Sequence, residues 1–277
     1  MRLTIGQDQL HYHTIGQGTP IIALHDGLGL DHTILRPWLD NLADSARLTY
    51  LDLRGHGRSG GRQRLHEDGV GAWVEDLEQL RQALGHPRVV LLGHGLGGQI
   101  AQAYAHAHPR GVRALVLCAT SAALDYPQTM LSLARQQASD AQVASIVRVL
   151  SGPVDSEQTL RALWSSILPT LFFRFDPKLG SAMLANLNLS PEAHNHTLFT
   201  LAEALSCRLW AAELGLPTLL VGGRHDWLTP AEEGLGQLAG LLGAPKPVIL
   251  EESGHFPFIE EPVAFCQSIR TFLRTLP

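Results

Sequence analysis

Short, continuous apolar runs recur along this chain and restrict its fold more than any other feature. Six of them, each bounded by turn residues and rich in leucine or β-branched side chains, lie at 21–24, 48–53, 89–92, 114–118, 218–221 and 248–250. Unbroken rather than alternating apolarity is typical of strands that helices cover on both faces. The runs therefore predict a mostly parallel β-sheet.

Between the runs, the apolar residues change to a helical period. One apolar face is formed by Val70, Trp73, Val74, Leu77, Leu80 and Leu84, and another by Ile100, Ala103, Tyr104 and Ala107. Pro262 stands where the first residue of a final helix is expected. Alternating strands and helices predict a doubly wound α/β sheet. The first twenty residues, which have glycines at 6 and 16, are typical instead of a leading antiparallel hairpin.

The strand–helix alternation stops from about residue 123 to residue 207. This stretch is rich in Ala, Leu and Gln, and it has helical spacing at Leu131, Ala134 and Ala138 and again at Leu160, Leu163 and Ile167. We interpret it as a helical insertion. The predicted organisation is an α/β core formed by residues 1–122 and 208–277, with a helical cap formed by residues 123–207.

Composition and charge exclude several classes of function. The formal net charge is −5, and no long basic run is present, so neither nucleic acid nor a membrane surface is an expected partner. The three cysteines, Cys118, Cys207 and Cys266, form no C-x-x-C pair. We expect no disulfide framework, no zinc site, no signal peptide, a cytoplasmic location and a small-molecule substrate.

The segment at 89–101 is the most informative for chemistry, because a predicted buried strand leads through a glycine-rich turn directly into a predicted helix. Gly93, Gly95 and Gly97 have the spacing of a nucleophile elbow, G-x-S-x-G, with Gly95 where the serine belongs. The glycines provide the space that such a sharp turn needs. The glycine spacing of the elbow is therefore present, but Gly95 replaces the serine nucleophile.

Two polar residues follow the last predicted strands. Asp226 comes just after the run at 218–221, and His255 comes just after the run at 248–250. Elbow, Asp and His in this chain order are typical of a hydrolase in which the imidazole moves a proton and the carboxylate fixes its tautomer. We therefore predict that Asp226 and His255 form a pair.

Two other motifs offer alternatives. Ser59 lies in a literal G-x-S-x-G at 57–61, but that segment is a polar loop that opens no helix, so we interpret Ser59 as a loop residue. Gly93, Gly95 and Gly98 also spell the dinucleotide fingerprint G-x-G-x-x-G. The next predicted strand lacks the acidic residue that should bind the ribose, which disfavours this interpretation.

The sequence resembles the α/β-hydrolase superfamily, and within it the branch similar to proline iminopeptidases. The segment at 24–29 (LHDGLG) resembles the HGGPG motif of that branch, the segment at 52–59 (DLRGHGRS) resembles its D-x-R-G-x-G-x-S motif, and the segment at 253–258 (SGHFPF) resembles its histidine motif. The likeness covers about residues 20–122 and 208–277. It fades in the insertion, which corresponds to the family's variable cap.

The resemblance implies a role for five residues. Gly95 occupies the nucleophile position, Asp226 the acid and His255 the base, while the backbone N–H groups of Gly27 and Leu96 form the oxyanion hole. The implied reaction is hydrolysis of a small ester or amide by acyl transfer, without a metal or an organic cofactor. We expect the imidazole to face an empty place beside position 95.

The sequence departs from the family pattern in three places: Asp26 and Leu28 replace Gly and Pro of HGGPG, the family's frequent glutamine is absent from 52–54, and Gly95 replaces the serine. Asp26 replaces the second residue of HGGPG, and its carboxylate would oppose negative charge in an oxyanion hole unless it points away. Gly95 cannot form an acyl-enzyme, so the chain is expected to be nearly inert as a serine hydrolase. We favour an engineered serine-to-glycine substitution. The alternative is a natural glycine in a binding protein, or in an enzyme that uses His255 and Asp226 alone.

Two acidic residues of the insertion bear on the substrate. If the activity is that of a prolyl aminopeptidase, the cap should present carboxylates to the free amine of the substrate. Glu192 and Glu203 are the candidates for this contact. Asp52 and Arg54, in contrast, are interpreted as anchors of a loop.

Overall fold

The computed structural model of the chain describes residues 1–65, 69–123, 127–200 and 205–277. Eight strands form one sheet: β1 (Arg2–Ile5), β2 (Asp8–Ile15), β3 (Thr19–Leu24), β4 (Ala46–Leu51), β5 (Val89–His94), β6 (Val112–Cys118), β7 (Thr218–Gly223) and β8 (Val248–Leu250). Their order across the sheet is β1-β2-β4-β3-β5-β6-β7-β8. The six strands from β4 to β8 in this order run parallel.

Five of the six apolar runs lie wholly within these parallel strands and the sixth lies mostly in β4, which confirms the predicted sheet. The leading hairpin is also confirmed, since β1 pairs with β2 and β2 with β4 in antiparallel register. One predicted boundary is wrong: the run at 48–53 was expected to be a strand throughout, but β4 ends at Leu51. The Asp52 N–H still donates to the carbonyl oxygen of His11 in β2, but the Leu53 N–H donates to the His25 ring in the loop after β3.

Ten α-helices occur in the described part of the chain: α1 (Val70–Ala83), α2 (Leu96–Ala107), α3 (Pro127–Ala134), α4 (Asp140–Ser151), α5 (Glu157–Ile167), α6 (Pro177–Asn186), α7 (Pro191–Thr200), α8 (Gln237–Leu242), α9 (Pro257–Glu260) and α10 (Pro262–Thr275). A π-helical turn, Ala231–Gly236, precedes α8. Short 3₁₀ helices cover His32–Ile34, Trp38–Leu42, Arg62–Arg64, Pro109–Gly111, Leu168–Leu171 and Ala211–Glu213. None of the helices in the described ranges is long and apolar enough to cross a membrane.

The sheet divides the apolar core into two clusters, because successive residues of a strand point to opposite faces. In β3, Ile21 and Ala23 belong to one cluster, while Ile22 and Leu24 belong to the other. The first cluster packs against α10 and the helices between β6 and β7, and the second packs against α1, α2 and α8. This is the two-sided cover that the continuous apolar runs predict.

Helices α3 to α7 all lie in the stretch between β6 and β7. Trp164 of α5 is 1% exposed, and its indole N–H donates a hydrogen bond to the carbonyl oxygen of Leu28 at 3.3 Å. The helical stretch is therefore joined to the loop that follows β3. The division into a core at 1–122 and 208–277 and a cap at 123–207 stays a prediction.

The buried carboxylate of Asp52 holds the loop after β4. It accepts hydrogen bonds from the backbone N–H groups of His32 and Arg58, both at 3.0 Å, and contacts the rings of His32 and His11 at 2.6 and 3.1 Å. Burial disfavours the charged form of Asp52, but the hydrogen bonds from the two rings hold its pKa well below the ordinary value. Asp52 therefore anchors this loop.

We expect Asp52→Ala to lower the free energy of unfolding by about 2–5 kcal/mol, since it leaves several buried donors without an acceptor. Because the folded pKa of Asp52 is depressed, its contribution is present above about pH 3.9 and is lost as the pH falls through the folded pKa. Urea denaturation of both proteins between pH 3 and pH 7 measures the difference. Asp44→Ala, which removes an exposed carboxylate paired with Arg270, is the control and should leave the free energy of unfolding nearly unchanged. Equal midpoints for the Asp52→Ala and parent proteins would contradict this role.

Candidate functional site

The turn between β5 and α2 has the backbone of a nucleophile elbow. Gly95 joins the strand to the helix with φ of 54° and ψ of −121°, in a region that side chains disfavour. Its neighbour Gly93 lies so close to the helix that a Cβ there would stand 2.4 Å from the carbonyl oxygen of Gly97. The strand therefore leads straight into the helix, with residue 95 at the apex.

Asp226 and His255 meet at the carboxyl edge of the sheet, next to this turn. Nδ1 of His255 lies 2.8 Å from Oδ2 of Asp226, and both side chains are buried. Oδ1 of Asp226 accepts hydrogen bonds from the backbone N–H groups of Leu228 at 2.9 Å and Thr229 at 3.0 Å. The Thr229 hydroxyl also donates to Oδ2. The carboxylate is thus fixed by its own loop and by the imidazole.

The place beside Gly95 is not empty, which corrects one expectation from the sequence. The carboxylate of Asp26 points into it, and Oδ2 lies 3.1 Å from Nε2 of His255. A Cβ built on Gly95 would stand only 2.0 Å from Oδ1 of Asp26. Asp26 therefore occupies the space that a side chain at position 95 would need.

The two N–H groups predicted for the oxyanion hole converge on this same carboxylate. Oδ1 of Asp26 accepts a hydrogen bond from the Gly27 N–H at 2.7 Å and another from the Leu96 N–H at 2.8 Å. Leu96 is the first residue of α2, so the positive end of that helix also faces the carboxylate. The pair of donors binds an anion, and the anion is supplied by the chain itself.

His255 therefore lies between two carboxylates. Burial of its ring disfavours the charged form, but the negative charges and hydrogen bonds of Asp226 and Asp26 outweigh this and raise the pKa of His255 above its ordinary value. Burial also opposes the charge on Asp26, yet the hydrogen bond and charge of His255 hold the pKa of Asp26 well below its ordinary value. These shifts make Asp26 an anion and His255 a cation at neutral pH, and we call Asp26, His255 and Asp226 together the charged row.

Comparison with known proteins places this site in a family. The family model described as the alpha/beta hydrolase fold matches residues 20–262, which include every residue of the site described above. The chain belongs to the alpha/beta hydrolase fold family. The observed sheet, with helices on both faces, agrees with this membership.

The chain is similar to two named enzymes and to one solved structure. The chain is 29% identical over 273 residues to a pimeloyl-[acyl-carrier protein] methyl ester esterase from Klebsiella pneumoniae (strain 342), with 95% of this chain and 96% of the relative covered. It is 27% identical over 281 residues to a proline iminopeptidase from Heyndrickxia coagulans, with coverage of 94% and 92%. A solved structure of a thermophilic esterase from Thermogutta terrifontis, bound to malate, is 26% identical, with a TM-score of 0.76 and coverage of 99% and 98%.

A pocket of about 180 Å³ opens beside the row of charges. A cavity of about 150 Å³ accommodates benzene, so this alpha/beta hydrolase has room for a small molecule. Its polar lining residues include Asp26, His255, Thr229 and Gln99. Most of the remaining lining is apolar and comes from the loop after β3, from the helical stretch and from the loop after β7: Leu28, Met130, Leu150, Leu198, Leu205 and Leu228.

Two further histidines support the site, although sequence reasoning assigned neither a role. The Nδ1–H of His25 donates to the carbonyl oxygen of Asp26 at 2.6 Å, and its Nε2 accepts from the Leu53 N–H at 3.1 Å. The Nε2–H of His94 donates to the carbonyl oxygen of His255 at 2.9 Å. Burial and the nearby cationic ring of His255 lower the pKa of His94 to about 4, so His94 is neutral. Both rings fix the backbone of a residue in the charged row. In the sequence, position indicates these roles, since His25 directly precedes Asp26 and His94 directly precedes Gly95.

Metal-ligating atoms of Asp26, His94 and His255 lie within 4.8 Å of one another, as do those of His11, His32 and Asp52. In the first group, both ring nitrogens of His255 already face carboxylates. A metal ion there would have to replace the contact between Asp26 and His255. In the second group, Asp52 is engaged by the loop that it anchors. In both groups, the carboxylate already contacts the imidazole rings beside it.

Ser59 and Glu192 are not among the described residues that line the pocket. The Ser59 hydroxyl donates to the Asp52 carbonyl oxygen at 2.6 Å, inside the loop after β4. Glu192 is exposed and accepts a hydrogen bond from Ser190 at 3.2 Å, while Glu203 falls outside the described residues. The dinucleotide alternative is also disfavoured, because the Asp26 carboxylate holds the Leu96 N–H that a pyrophosphate would need.

We expect isotope-edited NMR to show both ring nitrogens of His255 protonated at pH 7, since two carboxylates stabilise the imidazolium. Asp26→Asn removes one of them and should lower the pKa of His255. A raised folded pKa adds stability fully below about pH 6.5, and this contribution is lost as the pH rises through the folded pKa. A neutral His255 ring at pH 7 in the parent protein would contradict the charged row.

Proposed function

We propose that this chain is a hydrolase of small esters or amides that bind in the pocket beside His255. One observation carries the proposal: the buried pair of His255 and Asp226 opens onto a small, mostly apolar pocket at the point where the Gly27 and Leu96 N–H groups converge on an anion. A proton-transfer group next to a pre-organised anion site is the arrangement that ester and amide hydrolysis needs. Membership of the alpha/beta hydrolase fold family supports it.

Each member of the site has a proposed role. His255 moves the proton, and Asp226 holds the ring in one tautomer and stabilises its charged form. The N–H groups of Gly27 and Leu96 stabilise negative charge that develops on an oxygen. Gly95 stands at the nucleophile position, where the absence of a side chain leaves room for Asp26.

The lining of the pocket favours an ester over a peptide with a free amino terminus. The named relatives include both an esterase and a proline iminopeptidase. Asp26 is the only carboxylate among the described residues that line the pocket, and it is already bound to two N–H groups and to His255. Glu192 does not line the pocket. No further carboxylate in the described lining is therefore placed to bind an ammonium group.

The helical stretch at 123–207 is proposed to act as the cap of this pocket. Met130 of α3, Leu150 of α4 and Leu198 of α7 all contribute to the apolar lining. The side chains of the cap would then select the apolar part of the substrate. We also propose the cytoplasm as the place of action, supported by three buried cysteines that form no disulfide.

The place of Asp26 favours a natural glycine at position 95 over an engineered one. A serine there would bring its Cβ to 2.0 Å from Oδ1 of Asp26 and would have to expel the carboxylate from its two N–H partners. The elbow backbone is retained, which is the observation that supports an original serine. The two alternatives differ in what a serine restored at position 95 would do.

We expect His255→Ala to reduce kcat/KM for benzyl esters of short acids by a factor of about 10²–10⁴, because the proton-transfer group is lost. Asp226→Asn should reduce it for the same reason, through the tautomer of His255. His106→Ala, which removes an exposed imidazole stacked on Trp210, is the matched control and should leave the rate unchanged. Full activity of the His255→Ala protein would overturn the proposed function.

Restoring a serine at position 95 separates the two origins of the glycine. We expect Gly95→Ser alone to give little labelling by a fluorophosphonate, since Asp26 still occupies the space and holds the N–H pair. The double variant Asp26→Gly/Gly95→Ser should free the space beside residue 95 and the two N–H groups. We therefore expect this variant to be labelled at residue 95 and to show esterase activity. Intact-mass spectrometry and ester hydrolysis measure the two effects. Strong labelling of the single Gly95→Ser variant would instead support an engineered glycine in a serine hydrolase.

A further inference from the structure

The carboxylate of Asp26 stands where the reacting group of this site would stand. It borders the pocket, faces His255 through Oδ2 and fills the space beside Gly95. We propose that Asp26 is the nucleophile of this hydrolase and that it attacks a saturated carbon of the substrate to form an aspartyl alkyl ester. This inference rests on the proposed function. It identifies a nucleophile for that reaction, since Gly95 has no side chain to act as one.

The N–H pair decides which bond is attacked. Both donors are bound to Oδ1 of Asp26, so the carbonyl oxygen of a substrate ester finds no oxyanion hole there. Attack of Asp26 on a carbonyl carbon would therefore develop negative charge on an oxygen without these donors. When water adds to Cγ of an ester formed at Asp26, in contrast, the charge develops on Oδ1, where both donors already point. The hole fits an intermediate in which Asp26 supplies the acyl group and the substrate supplies the alkyl group.

The other oxygen of Asp26 is available for the attack. A carboxylate oxygen has two lone pairs, and the contact with His255 at 3.1 Å uses one on Oδ2. Carboxylates are established nucleophiles in covalent catalysis. The backbone of Asp26 is held by the hydrogen bond from His25 to its carbonyl oxygen. The nucleophile is thus fixed by its backbone and by both oxygens before a substrate arrives.

The first step is a displacement. Oδ2 of Asp26 forms a bond to the saturated carbon, and the bond from that carbon to the ester oxygen breaks with its electron pair on the departing carboxylate. The Nε2 proton of His255 passes to this leaving group. The products of the step are a free carboxylic acid, the alkyl ester of Asp26 and a neutral His255.

The second step is hydrolysis of that ester. Neutral His255 takes a proton from water, the water oxygen adds to Cγ of Asp26, and negative charge forms on Oδ1. The intermediate then collapses: the bond from Cγ to the alkyl oxygen breaks, and the alcohol leaves with the proton from His255. The carboxyl proton of Asp26 returns to His255, which restores the anion and the imidazolium. In sum, one ester and one water give one acid and one alcohol.

The pocket restricts the alkyl group to a small apolar one. Leucine and methionine side chains make up most of its apolar lining, and its volume of about 180 Å³ suits a group of the size of a benzyl. The substrate class is therefore an ester with a small apolar alkyl group on a saturated carbon. Benzyl acetate is a suitable probe because its two oxygen-containing products are easily separated.

The test is hydrolysis of benzyl acetate by the full-length protein in ¹⁸O-labelled water over many turnovers. Cleavage at the saturated carbon passes the label through Asp26, so we expect ¹⁸O in benzyl alcohol and in the Asp26 carboxylate, with unlabelled acetate. Tandem mass spectrometry locates the label in the peptide. Asp31, a buried carboxylate that caps a short helix in the same segment, is the internal control and should stay unlabelled.

Label in acetate and none in Asp26 would show attack of water on the carbonyl, which overturns Asp26 as nucleophile and leaves the proposed hydrolase intact. No hydrolysis of benzyl acetate or of any other benzyl ester of a short acid would overturn both. Asp26→Asn should lower kcat by a factor on the order of 10⁴ or more and abolish the label in the alcohol. Asp44→Asn, an exposed change far from the pocket lining, should keep the parent rate and labelling.

Discussion

The contact of one carboxylate with an imidazole and two backbone N–H groups holds this site together. Asp26 binds the N–H groups of Gly27 and Leu96 through Oδ1 and His255 through Oδ2. These partners come from the loop after β3, the start of α2 and the loop after β8. Without Asp26, the two donors would lose their acceptor and the buried ring of His255 would lose one of the two charges that keep it protonated. The carboxyl edge of the sheet is therefore organised around a single side chain.

Gly95 and Asp26 depend on each other. The carboxylate fits only because position 95 has no Cβ, and the N–H donors beside that glycine have an acceptor only because the carboxylate is there. Glycine also adopts the backbone angles of the elbow without the strain that a side chain would add. The two departures from the family motifs, which look unrelated in the sequence, are one structural feature.

Much of this structure follows from the sequence, and the parts that do not have identifiable causes. Continuous apolar runs predict the parallel strands because both faces of the sheet are buried, and parallel strands bring their carboxyl ends to one edge, so Asp226 and His255 were expected near each other. The direction of the Asp26 side chain is different. It depends on the loop backbone that His25 fixes and on the missing Cβ at position 95, contacts between residues distant in the chain. The end of β4 depends on a contact of the same kind, since the Leu53 N–H donates to the His25 ring and not to a neighbouring strand.

The net charge of Asp26, His255 and Asp226 changes during the proposed reaction. This change allows His255 to act as an acid in the first step and as a base in the second. At rest, two carboxylates hold His255 protonated, which makes it a proton donor for a leaving group. Once Asp26 is esterified, one of the two negative charges disappears, and the pKa of His255 falls because burial and a single carboxylate then act on it. The ring becomes able to accept a proton from water at the stage where a base is required. The second carboxylate, which would oppose negative charge in a serine hydrolase, is in this site the group whose neutralisation converts the acid into a base.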